Sequence, residues 1–293
     1  MIPEKPVAKP AVIVISSLVA RGGVGLRATA FSLERLGFPV WQVPTIFLPW
    51  HTGHSPSTKI VPSDALFTAA IADLAGSPHL AEVGAVVTGY IGDAAQAAAI
   101  EMLVLAVKRV NPAAIYVCDP VIGDAEGLYV AEATAATIRD RLLPLADAAT
   151  PNRYELAWLT GRDTDTPAKA LAAARALGPA RVVVTSAPAL MRGQIAMILA
   201  APDGAFVAEH PLVDGPSSGP GDLVSGLFTA GLLSGGGSEA MLKRTAAGTF
   251  EVIAVSAKAA ADEMQLVAAQ DRFVHPMAHI SVRRMGEAAP AAR

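Results

Sequence analysis

The chain has 293 residues, 23 Lys+Arg against 26 Asp+Glu, 52% hydrophobic residues and a single cysteine. That apolar content excludes a disordered chain, one cysteine excludes an internal disulfide framework or Cys-rich zinc site, and a net charge of −3 argues against a basic surface for nucleic acid or membrane. Alanine accounts for 59 residues, so much of the apolar content is small and helix-favouring, and it points to many packed helices rather than a membrane span.

In chain order, residues 1–10 read as a loose tail, and 11–16 as a fully buried strand. Lys5 and Lys9 precede that apolar run, but no small-residue cleavage site follows before Arg21, so a first strand is preferred to a signal peptide and a cytoplasmic location is expected. A helix is predicted over 28–36, a strand over 38–43, and a helix over 63–74 with Asp64 at its positive end. A strand at 85–88 leads to a helix over 94–110, stopped by Asn111-Pro112, and then to a strand at 115–118. A helix over 131–142, a short strand near Ala148, a helix over 167–177 and a strand over 181–185 follow. Extended stretches at 194–200 and 205–210 flank Pro202-Asp203-Gly204 as an antiparallel hairpin. Two helices close the pattern, 222–233 and 238 to about 267, the second interrupted at Gly248.

Buried strands separated by helices of this length imply one domain with a mainly parallel sheet covered on both faces, spanning 11–280 with a C-terminal tail over 281–293. In such a sheet, ligands bind beyond the carboxyl ends of the strands. After the first strand come Ser16-Ser17 and Arg21-Gly22-Gly23-Val24-Gly25, which is neither a dinucleotide fingerprint nor a P-loop. After the third comes Thr88-Gly89-Tyr90, and after the fourth Cys118-Asp119-Pro120-Val121-Ile122-Gly123-Asp124. Two acids at the mouth of a buried strand suit a metal or a charged phosphate assembly, and equally a capped loop. Asn152 and Glu155 lie three apart at a helix start, where they suit Mg²⁺ or its waters, while a capping box explains the same letters. The sharpest feature is the run Ser217-Ser218-Gly219-Pro220-Gly221-Asp222 entering an apolar helix. Free N–H groups at a helix start suit a phosphoryl group, and a carboxylate there can take a proton from an alcohol. His51 and His54 lack a third ligand, Pro276 spoils a shared face for His275 and His279, and Cys118 beside Asp119 reads as a buried structural thiol.

Taken in order, these segments resemble the pyridoxal kinase family of the ribokinase-like superfamily, over roughly 11–271. Gly219-Pro220-Gly221-Asp222 carries the superfamily signature, and His51-Thr52-Gly53, Thr88-Gly89-Tyr90 and the segment from Cys118 to Asp124 narrow it to the vitamin B6 branch. The resemblance implies a single-domain α/β three-layer sandwich with a central, mostly parallel sheet and helices on both faces, assembled as a homodimer. It implies transfer of the ATP γ-phosphate to the 5′-hydroxymethyl of pyridoxal, pyridoxine or pyridoxamine, with ATP and Mg²⁺ required and a K⁺ requirement left open. By that resemblance Asp222 is the base and the Gly219-to-Asp222 backbone, with Gly221, the anion hole. Ser17, Val24, Thr52 and Tyr90, with Asp222, line the pyridoxal pocket. Asp119, Thr150, Glu155 and Thr185, with Gly219 and Gly221, meet the nucleotide, and Asp124, Asn152 and Glu155 the metal. Three departures stand out. Pro220 brings no N–H to the anion hole, and Leu18 and Leu26 replace a frequent His and Asn. Neighbouring expectations are a kinase for another hydroxymethyl heterocycle, such as hydroxymethylpyrimidine, or a weakly catalytic B6-binding protein.

Overall fold

The computed structural model describes residues 9–216 and 218–286. The first half contributes strands β1 (Ala11–Arg21), β2 (Val40–Trp50), β3 (Val83–Thr88) and β4 (Ile115–Cys118), and helices α1 (Leu26–Arg35), α2 (Asp64–Ala75) and α3 (Gln96–Val110). A small ribbon of β5 (Gly123–Asp124) and β6 (Gly127–Leu128), helix α4 (Glu132–Thr137), β7 (Ala148–Ala149), α5 (Arg153–Thr160) and α6 (Pro167–Ala176) follow. The chain continues through β8 (Arg181–Pro188), β9 (Gln194–Ala201), β10 (Gly204–Pro211), α7 (Pro220–Ser234), α8 (Ser238–Lys258), α9 (Gln270–Val274) and β11 (Ser281–Arg284).

The strands form one nine-stranded sheet in the order β11-β10-β9-β8-β7-β4-β3-β1-β2. Pairing is parallel from β2 to β8 and antiparallel from β8 to β11. Every residue of β3 is buried, as near-continuous apolar strands covered on both faces must be. Period-two alternation splits the core. Ile13, Ile15, Val86 and Tyr116 pack under α2, α3 and α4, whereas Val12, Val14, Val87 and Val117 pack under α1, α7 and α8. The single α/β domain with a mostly parallel sheet between two helical layers is therefore as expected, and so is the hairpin of β9 and β10, whose Gly204 and Ala201 pair across the turn.

Several boundaries move. β1 and β2 run on together to Arg21 and Trp50, with a register shift between Ser16 and Leu18. Pro44 and Pro49 do not stop β2, because among the described residues its outer edge pairs only at Phe47, with Ile60. The helix expected over 131–142 is α-helical only to Thr137 and continues as one wide π turn, Ile138–Leu142, before Pro144 forces a 3-10 turn. α8 passes straight through Gly248, where a Cβ would meet Leu227 at 3.0 Å and Phe273 at 3.3 Å, so glycine there permits close packing rather than a break. The same helix ends at Lys258, well short of 267, with Ala260 in a left-handed conformation, φ 47°. The C-terminal tail expected from 281 begins as a strand: Ser281–Arg284 adds to the sheet beside β10. Residues 1–8 of the N-terminal tail and 287–293 lie outside the described residues, as does Ser217.

Candidate active site

The first turn of α7 meets the carboxyl ends of the central strands. Gly219 caps it with φ 98°, and a Cβ there would fall 2.3 Å from the Gly23 carbonyl oxygen, so no other residue fits. Pro220 then occupies the first helical position, where φ near −65° is already helical and the missing N–H costs no intrahelical bond. Leu223 N–H returns to Gly219 O at 3.1 Å. The N–H groups of Gly221 and Asp222 have no partner among the described residues. These are the free donors an anion seeks at a helix start.

Asp222 sits in that turn beside Gly89. A Cβ on Gly89 would lie 3.8 Å from the carboxylate, and Thr29 Oγ1 holds the Asp222 carbonyl at 3.0 Å. Burial pushes its carboxyl up to about 6, against a hydrogen bond from the Gly25 N–H that favours the charged form. One turn on, Ser225 Oγ donates to Asp119 Oδ2 at 2.7 Å, and Thr150 Oγ1 lies 2.7 Å from the same hydroxyl. Asp119 is buried and held well above the ordinary carboxylate range, first by burial and then by the charges of Glu155 and Asp222.

Glu155 is buried too, and its oxygens face backbone donors: Ile122 N–H at 2.8 Å and Asn152 N–H at 2.8 Å. Asn152 Oδ1 accepts from Tyr154 N–H and Glu155 N–H, both at 2.9 Å, and its amide nitrogen donates to Gly123 O at 2.8 Å. The capping-box reading of these two residues is thus realised in full. Glu155 is pushed up to about 7 by burial, despite those donors. Val121 adopts φ 45°, an outlier for a β-branched residue, which turns the backbone so that Ile122 reaches Glu155. Asp124 stands apart. It is exposed in β5, with Oδ1 accepting from Glu126 N–H at 2.9 Å. Among the described residues, no three His, Cys, Asp or Glu side chains converge as a self-sufficient metal site. Thr185 is buried beside this group, its N–H bonded to Pro151 O at 2.9 Å.

The opposite wall is less polar. Ser17 is buried against Gly25, where a Cβ would come within 2.4 Å of its hydroxyl. Val24 packs with Val19, Ile46 and Leu48, and Tyr90 lies against that cluster. Tyr90 is fixed at both ends of its peptide: its N–H donates to Ser16 Oγ at 3.1 Å and its carbonyl accepts from Thr45 Oγ1 at 2.7 Å. Thr52 is exposed in the loop after β2. A cavity of about 300 Å³ separates that loop from Gly215, Pro216 and Ser218, with Ala261 and Asp262 at its side. His51 and His54 face each other at 6.3 Å, and His54 meets Glu263 at 2.7 Å. Cys118 is a buried thiol as expected, pushed up to about 12 by burial.

Two residues escape the sequence reading. Half-exposed Tyr129 follows β6 by one residue, and partial burial with the charges of Glu155, Asp119 and Asp222 holds its phenol protonated. Its spacing carries no motif. Glu263 lies in the turn beyond α8, inside a stretch that reads as continuing helix, so nothing in its neighbours marks it.

The model of the phosphomethylpyrimidine kinase family matches residues 56–263. The chain is 37% identical over 281 residues to pyridoxal kinase PdxY of Rubrobacter xylanophilus, covering 94% of this chain and 97% of that one. It is 35% identical over 283 residues to pyridoxal kinase PdxY of Leifsonia xyli subsp. xyli, covering 94% and 99%. Among solved structures, pyridoxal kinase from Leishmania donovani in complex with ADP and pyridoxamine superposes with a TM-score of 0.88 at 25% identity, over 94% of this chain and 100% of that one. A helix start opening on a half-buried acid, a ribokinase-like sheet beneath it and whole-length relatives of one kind lead to the same place: the chain belongs to the phosphomethylpyrimidine kinase family, among its pyridoxal kinases.

Proposed function

We propose that this chain transfers the γ-phosphoryl group of ATP to the 5′-hydroxymethyl oxygen of pyridoxal, and of pyridoxine or pyridoxamine, giving the 5′-phosphate and ADP. The observation that carries the reading is the first turn of α7, where a carboxyl pushed up to about 6 stands beside two backbone N–H groups without partners among the described residues. A base of that strength is poised for work near neutral pH. Asp222 takes the proton from the 5′-hydroxyl as its oxygen bonds to phosphorus and the bond to the β-phosphate oxygen breaks. The Gly221 and Asp222 N–H groups meet the charge on the phosphoryl oxygens. Pro220 removes a donor from the helix start, and two remain.

Ser17, Val24, Tyr90 and Thr52 line the vitamer side in this reading, with Thr52 needing the loop after β2 to close over the ring. Asp119, Thr150, Thr185 and Glu155, with Gly219 and Gly221, form the nucleotide side. The donor chemistry fits Mg²⁺: Asp119 and Glu155 are buried carboxylates that oppose one another's charge, and a hard cation relieves that opposition. Glu155 and Asn152 already accept backbone N–H groups, so they would hold the ion through its waters, with Asp124 contributing from the ribbon. When bound, Mg²⁺ neutralises charge on the triphosphate.

The reading places the protein in the cytoplasm, where a lone buried thiol stays reduced. Among the described residues no helix is long and apolar enough to cross a membrane. A homodimer suits the outer face of α2, where Ala65, Leu66, Ala69 and Ala70 are all exposed.

The test is an ATP/Mg²⁺ assay on a panel of B6 vitamers and hydroxymethylpyrimidine, with Asp222→Asn beside the wild type. Turnover of hydroxymethylpyrimidine above every vitamer would move the substrate assignment. Vitamer binding with no turnover above Asp222→Asn would leave only a binding protein.

A further inference from the structure

We propose that Glu263 is a positioning residue for the vitamer side of the site, clamping the turn after β1 to the loop after β2. Two segments far from it in sequence meet on its carboxylate, whose side chain is only 9% exposed. Oε2 accepts from the Gly23 N–H at 3.1 Å, Oε1 meets His54 Nε2 at 2.7 Å, and Arg21 Nη1 stands 3.9 Å away. Gly22, with φ 125°, makes room for the clamp: a Cβ there would fall 2.6 Å from Oε1. The turn is pinned from its other side as well, because the Gly23 carbonyl packs on Gly219 at the start of α7. The two elements so tied carry Val24 on one side and Thr52 on the other. A buried carboxylate is a costly way to fill space, since an apolar side chain of similar size avoids the desolvation. What the acid adds is direction: it grips one backbone N–H and one imidazole in fixed places, and so sets the distance between two loops. Glu263 touches no reacting atom in this arrangement and acts through Gly23 and His54.

The inference rests on the reading that Val24 and Thr52 face the vitamer, and its test keeps the two separable. The full-length protein is compared with Glu263→Ala, Glu263→Gln and His54→Ala by hydrogen exchange and by steady-state kinetics. Glu263→Ala is expected to speed exchange of the amides at 22–25 about tenfold or more, leaving β8 to β10 unchanged. It is expected to raise KM for pyridoxal about tenfold while KM for ATP stays within about twofold, since misplacing a pocket by a fraction of an ångström is felt by the ligand it holds. Glu263→Gln keeps an acceptor for Gly23 and restores most of both effects. His54→Ala adds less in the Glu263→Ala background than in the wild type. Unchanged exchange at 22–25 in Glu263→Ala overturns the clamp, and so does an equal rise in both KM values. A wild type that turns over no B6 vitamer sinks the functional reading instead, and the exchange experiment then decides the clamp alone.

Discussion

Ser225 Oγ reaches Asp119 Oδ2 at 2.7 Å, which bolts the first turns of α7 to the end of β4. The helix start with its two N–H groups unpartnered among the described residues and the strand end that carries the buried acid are therefore one assembly. Asp119, Glu155 and Asp222 sit close enough that each acid's charge is felt by another. Such an arrangement stores electrostatic opposition in the ligand-free protein and releases it when positive charge arrives.

The burial of Asp222 has a pH signature. With Asp222 pushed up to about 6, its proposed role as the base predicts that kcat/KM for pyridoxal rises from pH 5 to 7 with a midpoint near that value, since a carboxyl accepts a proton only when ionised. Asp222→Asn lowers kcat by about 10²–10⁴. Stability runs the opposite way. A carboxyl whose folded value is raised prefers its proton in the native state, so its stabilising contribution is complete below its ordinary 3.8 and is lost as pH climbs through about 6. Glu155 behaves alike between 4.5 and about 7. At pH 7.5, urea titration of ligand-free protein should find Asp222→Asn more stable than the wild type by about 1–3 kcal/mol.

Gly219→Ala tests the helix cap without touching a titrating group. The added methyl meets the Gly23 carbonyl oxygen in a backbone conformation that alanine rarely adopts. A fall in kcat of about 10²-fold is expected, as for loss of an anion-hole donor, with far-ultraviolet circular dichroism unchanged. Wild-type kcat in this variant would show that the Gly219 geometry is dispensable.

Ser225→Ala leaves the acid at the end of β4 short of its hydroxyl donor in a buried place. The expected cost is about 1–3 kcal/mol in denaturant midpoint analysis, since a buried group loses its partner. Ser225→Thr keeps the oxygen and should recover part of it.

Leu66→Glu reads the outer face of α2. Leu66 is 69% exposed on a helix whose buried side is carried by Phe67 and Ile71. The proposed homodimer predicts that a charge there shifts the sedimentation coefficient from dimer to monomer with little change in the unfolding of the subunit. A variant that sediments as the wild type does would move the interface elsewhere.

Much of this architecture is legible in the chain because buried parallel strands are spelled in β-branched residues, as at Ala11 to Ile15, and because Gly219-Pro220-Gly221-Asp222 is both a turn signal and a chemical one. The ends of elements are less legible. The alanines after Lys258 favour helix on their own, yet α8 stops there as Ala260 N–H turns back to the Ala257 carbonyl. β2 outlasts two prolines because its position at the sheet edge, invisible in sequence, excuses the missing N–H groups. Asn152 and Glu155 spell a capping box, but not that Glu155 also reaches the Ile122 N–H across the site, which only the tertiary fold supplies. Glu263 and Tyr129 had no local pattern to betray them, since each owes its place to partners distant in the chain.

Cys118 closes β4 directly before Asp119, with its thiol pushed up to about 12. A thiol so reluctant to ionise is silent toward alkylating reagents while the strand end stays shut. It is also the chain's only cysteine. Its modification rate therefore counts openings of the floor beneath the acid cluster, a built-in clock for how often this part of the protein breathes, and bound nucleotide should slow it.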